Sequence, residues 1–212
     1  MLKHLPNALT LLRLVLAPVI AWATKLAFTP VDIVIGAEGR PPDPSPPWAT
    51  IAATLFIIAA LTDLADGMAA RAFNAHSKFG RVLDPIADKA VVGLPLLALS
   101  AAFMGNLIWW PAIVGATGVI VARDVFVTIR RLTAADGEGA PVSPLAKWKT
   151  AAELVAVAIP LIYGAGMETR LVSQATLLHA QPWIIAWATF LMATAALSVF
   201  TGWRYLFAKP SP

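Results

Sequence analysis

Apolar runs broken by short polar segments dominate this chain, and most of the runs are long enough to cross a bilayer as helices, which takes roughly 20 residues each. The first spans residues 8–28, after an amphipathic start at Leu5-Pro6-Asn7. A loop with Asp32, Glu38, Arg40 and Asp43 follows. Its proline-rich residues 41–47 cannot continue a helix and read as solvated linker. The second run covers residues 48–71. A polar turn, residues 74–78, leads into the third, residues 81–104. Gly105-Asn106 makes a tight turn, and Trp109-Trp110 is an interfacial aromatic pair, a role also expected of Trp183 and Trp203. The fourth run ends near Arg130. A polar loop with Asp136-Gly137-Glu138-Gly139 then ends in Lys147-Trp148-Lys149. The fifth covers residues 150–166 and the sixth residues 182–207.

This pattern predicts an all-α integral membrane protein with six transmembrane helices. No repeat is apparent, and residues 1–212 read as one transmembrane domain. Composition agrees, at 58% hydrophobic and 13% charged, against about 25% charged in ordinary soluble domains. The first run lacks a small-residue cleavage site and reads as a first span rather than a signal peptide. With no cysteine, the chain has neither disulfides nor a thiolate metal site.

Charge sets the orientation. Lys3, Arg71, Lys78, Arg81, Arg130, Arg131, Lys147, Lys149, Arg204 and Lys209 fall on one side of the predicted spans. Arg40, Arg170 and Lys25 fall on the other. Basic flanks face the cytoplasm, so both termini are expected there, as an even number of spans requires. The net charge of +4 reflects this bias and does not point to nucleic acid.

Against this apolar background one string carries the chemistry: Asp63-x2-Asp66-Gly67-x2-Ala70-Arg71-x8-Gly80-x3-Asp84-x3-Asp88. Ionisable residues within membrane segments are costly and mark function. At about 100° per residue, Asp63, Asp66, Gly67 and Ala70 share one helix face, and Gly80, Asp84 and Asp88 share a stripe on the next. The turn between the two helices lets these stripes face each other antiparallel. Oxygen-only donors at this density suit a hard divalent cation, Mg2+ or Mn2+, and four carboxylates can hold two ions about 3.5–4 Å apart. Gly67 and Gly80 clear room for a bulky group near the backbone, and Arg71 offers a planar cation for phosphate. A plainer reading pairs the acids with local bases such as Lys89, Arg81 and Arg123. A divalent-ion transporter would also place acids within spans, but it does not explain the glycines or the clustered bases. His4, His76 and His179 lack metal-ligand spacing.

The string resembles the signature of the CDP-alcohol phosphotransferase family, with all eight signature residues at their offsets. The resemblance implies a six-span, often dimeric enzyme of a bacterial cytoplasmic membrane, with its site at the cytoplasmic face. Its reaction displaces CMP from a CDP-linked lipid or alcohol by an acceptor hydroxyl. Carried over, Asp63, Asp66 and Asp84 are metal ligands. Asp88 lies beside the second metal and is the base that takes the acceptor proton. Gly67, Arg71, Ser77 and Gly80 contact the CDP moiety.

Residues 5–13, Leu-Pro-Asn-Ala-Leu-Thr-Leu-Leu-Arg, are similar to the start of the family branch that makes phosphatidylglycerol phosphate. There Asn7 and Thr10 lie by the nucleotide, although a helix cap is the plainer role for Asn7. Leu83-Asp84-Pro85-Ile86-Ala87-Asp88-Lys89 resembles the same branch and the related cardiolipin synthases. Arg123-Asp124 resembles its Arg-Glu pair. Ala146-Lys147-Trp148-Lys149-Thr150 resembles its Gly-Lys-x-Lys-Thr segment, with Ala for Gly, and Glu153 stands where Gln is usual. The implied substrates are CDP-diacylglycerol and glycerol 3-phosphate, whose phosphate would meet Arg123, Lys147 and Lys149. Alternative acceptors are phosphatidylglycerol, inositol phosphate and serine.

Overall fold

The computed structural model describes the backbone of residues 5–28, 47–73, 78–103, 109–133, 144–168 and 180–207. Within these it describes the side chains of residues 7–28, 47–63, 80, 82–103, 109–130, 132–133, 145–168 and 182–203. The described residues form six helices: α1 (Leu5–Phe28), α2 (Trp48–Phe73), α3 (Lys78–Ala102), α4 (Trp110–Thr133), α5 (Pro144–Glu168) and α6 (Ala180–Phe207). Each coincides with one apolar run. Most of the expected loops, and His4, His76 and His179, lie outside the described residues.

The fifth helix differs from expectation. It begins at Pro144 rather than near residue 150, so Lys147, Trp148 and Lys149 lie in its first turns. Proline suits a helix start because its fixed φ is helical and its missing N–H would be unpaired there anyway. Internal prolines (Pro18 in α1, Pro85 and Pro95 in α3, Pro160 in α5) do not end their helices, as neighbouring helices can support the freed backbone.

Among the described residues four stretches are long and apolar enough to cross a membrane: Asn7–Phe28, Trp110–Arg130, Leu145–Glu168 and Pro182–Trp203. Helix α2 contributes a shorter apolar segment, Trp48–Asp63, and α3 carries Asp84, Asp88 and Lys89 in its first half.

The helices pack as a closed ring in the order α1, α3, α4, α6, α5, α2. Helix α1 lies extensively against both α2 and α3, whereas among the described residues α2 and α3 share few contacts. The two acid stripes do meet where Asp63 of α2 lies beside Asp88 of α3, and α1 packs along both of their helices. Small residues make this close approach possible: Ala17 and Ala23 of α1 and Ala52, Ala53 and Ala59 of α2 are buried in the shared core, with Leu96 and Leu99 of α3. Outward positions stay apolar, as with Val15, Leu61, Ile129 and Phe200, which suits hydrocarbon surroundings.

Polar ties join the helices. Ser100 donates to Thr117 across α3 and α4 at 2.8 Å, and the Trp187 indole N–H donates to the Ala156 carbonyl at 2.9 Å. The carboxylate of Glu168, ending α5, accepts from the Ala49 and Thr50 amides (2.7 Å each) and the Thr50 hydroxyl (2.9 Å), capping α2. Trp183 is half-buried and stacks on Tyr163 at 4.4 Å.

Candidate active site

Lys25 and Glu168 lie at one end of the ring. Most of the described charged side chains gather at the other, in the early turns of α1, α3 and α5 and the late turns of α2 and α4, with Thr201 and Gly202 of α6 beside them. The start of α1 and the end of α6 therefore share that end. Two clusters form there.

The first is built on α1. Thr10 and Arg13, three residues apart, share a helix face. The buried Thr10 hydroxyl donates to Asp84 Oδ1 at 2.5 Å. Arg13 places a single nitrogen, Nη1, against both Asp63 Oδ1 of α2 and Asp88 Oδ1 of α3. Arg13 is 2% exposed, whereas Asp63 and Asp88 are 54% and 43% exposed. The cation is thus sealed in the bundle and the acids face outward. A buried guanidinium must be hydrogen-bonded and charge-paired to persist, and here it holds two carboxylates at once.

The second cluster crosses α3, α4 and α5. Asp124 pairs with Lys89 at 2.8 Å, with Arg123 at 2.9 Å and with Lys149. Glu153 pairs with Lys149 at 2.6 Å and approaches Lys89 at 3.7 Å. Lys149 and Glu153 are almost wholly buried. Arg123 also donates to the Thr201 hydroxyl of α6 at 3.2 Å. Beside it Gly202 leaves space that a Cβ would contest, at 3.0 Å from Arg123 Cγ and 3.1 Å from Nε.

Asp63, Asp84 and Asp88 are thus brought to one face of α1, and Arg123 and Lys149 meet on Asp124. Lys147 is exposed; two residues from Lys149, it points to a different side of α5. Asn7 is half-buried at the start of α1, and Gly80 is buried in the first turn of α3. The side chains of Asp66 and Arg71, the surroundings of Gly67, and Ser77 lie outside the described residues. Among those described, no three acids close on a single point. The donor set is nonetheless of the right chemistry for a hard divalent cation: carboxylate oxygens, half-exposed, two of them close enough to share one cationic nitrogen.

Sequence reasoning gave no role to Arg13, Thr201 and Gly202, and it set Lys89 against the acid string without foreseeing its pairing with Asp124. For Arg13 a signal existed, since an arginine inside an apolar run needs a partner there. Thr201 and Gly202 carry no local signal.

A model of the CDP-alcohol phosphatidyltransferase family matches residues 3–195. The chain belongs to that family. Among its relatives, a CDP-diacylglycerol–glycerol-3-phosphate 3-phosphatidyltransferase of Cereibacter sphaeroides is 40% identical over 166 residues, 77% of this chain and 65% of the relative. The enzyme of that name from Bacillus subtilis is 35% identical over 167 residues, 78% of this chain and 80% of the relative. A probable phosphatidylglycerophosphate synthase of Mycobacterium tuberculosis is 30% identical over 205 residues, 97% of this chain and 81% of the relative. This family membership supports phosphatidyl transfer over ion transport, and the clusters on α1 and Asp124 are the places in this member where such chemistry has side chains to work with.

Proposed function

We propose that this family member transfers the phosphatidyl group of CDP-diacylglycerol to glycerol 3-phosphate, forming phosphatidylglycerol phosphate and releasing CMP. The observation that carries the reading is the gathering of Asp63, Asp84 and Asp88 on one face of α1, in a chain whose relatives bear that activity in their names. Residues 1–212 act as a single domain with six membrane-crossing helices and both termini cytoplasmic, in a bacterial cytoplasmic membrane, as a homodimer.

The acceptor hydroxyl attacks the phosphorus that bears the diacylglycerol. The new P–O bond forms as the bond to the CMP oxygen breaks, and the hydroxyl proton passes to the Asp88 carboxylate. Asp88 suits this role, being anchored by one oxygen to Arg13 yet open enough to meet a substrate. Asp63, Asp66, Asp84 and Asp88 would hold one or two Mg2+ or Mn2+ ions, whose chemistry is to neutralise the pyrophosphate charge. Asn7, Gly67, Arg71, Ser77 and Gly80 line the CDP moiety, with Thr10 supporting Asp84. Arg123, Lys147 and Lys149 face the acceptor phosphate, Lys149 acting from within its pairs with Asp124 and Glu153.

One observation favours a second reading, a sister phosphatidyltransferase with another acceptor such as phosphatidylglycerol. Asp124 and Glu153 already neutralise much of the positive charge that a phosphate would seek.

The test is CMP release by the purified protein with CDP-diacylglycerol, Mg2+ and each acceptor offered separately. Release with glycerol 3-phosphate alone is expected. Release with only another acceptor would keep the acid site and overturn the acceptor assignment.

A further inference from the structure

Among the described residues the two helices that carry the acids share few contacts, yet Asp63 and Asp88 stand side by side, two like charges that repel unless a cation joins them. The side chain that reaches both is Arg13, through one nitrogen. The acids themselves are about half exposed, and half-exposed carboxylates in water sample several rotamers unless held. The arginine is the buried member of the trio. One turn earlier Thr10 fixes Asp84 from the same face, so α1 presents a short ruler against which acids from two other helices are aligned.

We propose that Arg13 is a positioning residue for phosphatidyl transfer: it sets the spacing of Asp63 on α2 and Asp88 on α3. The proposal rests on the reading of those two acids as the working carboxylates.

Sign separates this role from simple charge compensation. A fixed positive charge beside a cation site repels the incoming ion, so its removal should tighten binding. If Arg13 instead aligns the ligands, its removal should weaken binding, and loss of such a supporting contact typically costs about 10–100-fold in metal affinity.

Mn2+ binding to detergent-solubilised wild type, Arg13→Lys and Arg13→Gln, followed through the free-ion paramagnetic signal, distinguishes the two. Arg13→Gln should weaken binding by at least about tenfold. Arg13→Lys should fall between, because one ammonium can replace one shared nitrogen but on a shorter stem and without the planar fork of the guanidinium. Binding by either folded variant that equals or exceeds wild type overturns the proposal.

A second readout needs no metal. The chain has no cysteine, so Leu61→Cys on α2 and Val82→Cys on α3, both exposed, can carry a pair of spin labels without interference. The label-to-label distance distribution should be narrow in wild type, broader in Arg13→Gln and partly restored in Arg13→Lys. Equal widths in all three overturn the proposal. No Mn2+ binding in wild type, together with a distribution that broadens in Arg13→Gln, would instead sink the metal reading and leave the spacing role standing. Should Arg13→Gln not survive purification, Arg13→Lys decides by the same measurements.

Discussion

Gly202→Ala tests whether the last helix governs acceptor binding. The new methyl would stand 3.0 Å from Arg123 Cγ and 3.1 Å from Nε, where well-packed carbons sit about 3.5–4.0 Å apart. Thr201 and Gly202 are buried, so the arginine side chain yields, by about half an ångström. Its contact with Asp124 is 2.9 Å and charge-assisted, while that with Thr201 is 3.2 Å, already at the long end of the range. The Thr201 contact breaks first. One hydrogen bond is worth about 1 kcal/mol net, or about fivefold in binding. KM for glycerol 3-phosphate should therefore rise about fivefold, with KM for CDP-diacylglycerol unchanged. The melting temperature should not fall, because alanine in a helix interior is favoured over glycine by about 0.5–1 kcal/mol. The assay is CMP release in mixed micelles, varying one substrate at a time. An unchanged KM for glycerol 3-phosphate would refute the reasoning, and so would an equal rise for both substrates.

Other expectations follow from the same geometry. Asp88→Asn should bind CDP-diacylglycerol while losing at least about 100-fold in turnover; substantial turnover would remove the base assignment. Lys149→Met should lower the melting temperature sharply, because it leaves the buried Glu153 with only Lys89 at 3.7 Å, and breaking a buried pair costs roughly 3–5 kcal/mol. Lys147→Ala, at an exposed position, should leave the melting temperature alone and raise the glycerol 3-phosphate requirement; an unchanged requirement would take Lys147 out of the acceptor site. Glu168→Ala should cost about 1 kcal/mol of stability by removing the acceptor at the head of α2, read by thermal unfolding through tryptophan fluorescence. Its activity at permissive temperature should match wild type, since the cap lies about 20 Å along α2 from Asp63; a strong loss of turnover would show that the two ends of α2 are coupled.

Local pattern carries much of this architecture. Six apolar runs foreshadow six helices because helix formation in such surroundings depends on composition and length over about 20 residues, all of it contiguous in the chain. The spacing of Asp84 and Asp88 likewise shows that they share a face. It says nothing of what else stands opposite: the α3 stripe meets Asp63 of α2, as expected, and also Thr10 and Arg13 of α1. Pairings such as Arg13 with Asp63 and Asp88, or Arg123 with Thr201, span tens of residues and arise from the order in which the helices close their ring. The early start of α5 is a smaller miss of the same origin. Hydropathy alone reads Lys147 and Lys149 as loop, whereas Lys149 can be helical and buried because Asp124 and Glu153 wait beside it.

The placement of α1 has a consequence for how portable this chemistry is. The acidic string occupies one contiguous stretch of α2 and α3, and on paper it could be lifted out as a self-sufficient hairpin. Among the described residues those two helices share little surface, and where they do meet two like-charged carboxylates face each other. Grafted onto another scaffold without a third helix offering a threonine and an arginine at the same heights, the string would arrive as loose parts. During synthesis the order is favourable, because the template emerges from the ribosome before either of the helices it must gather.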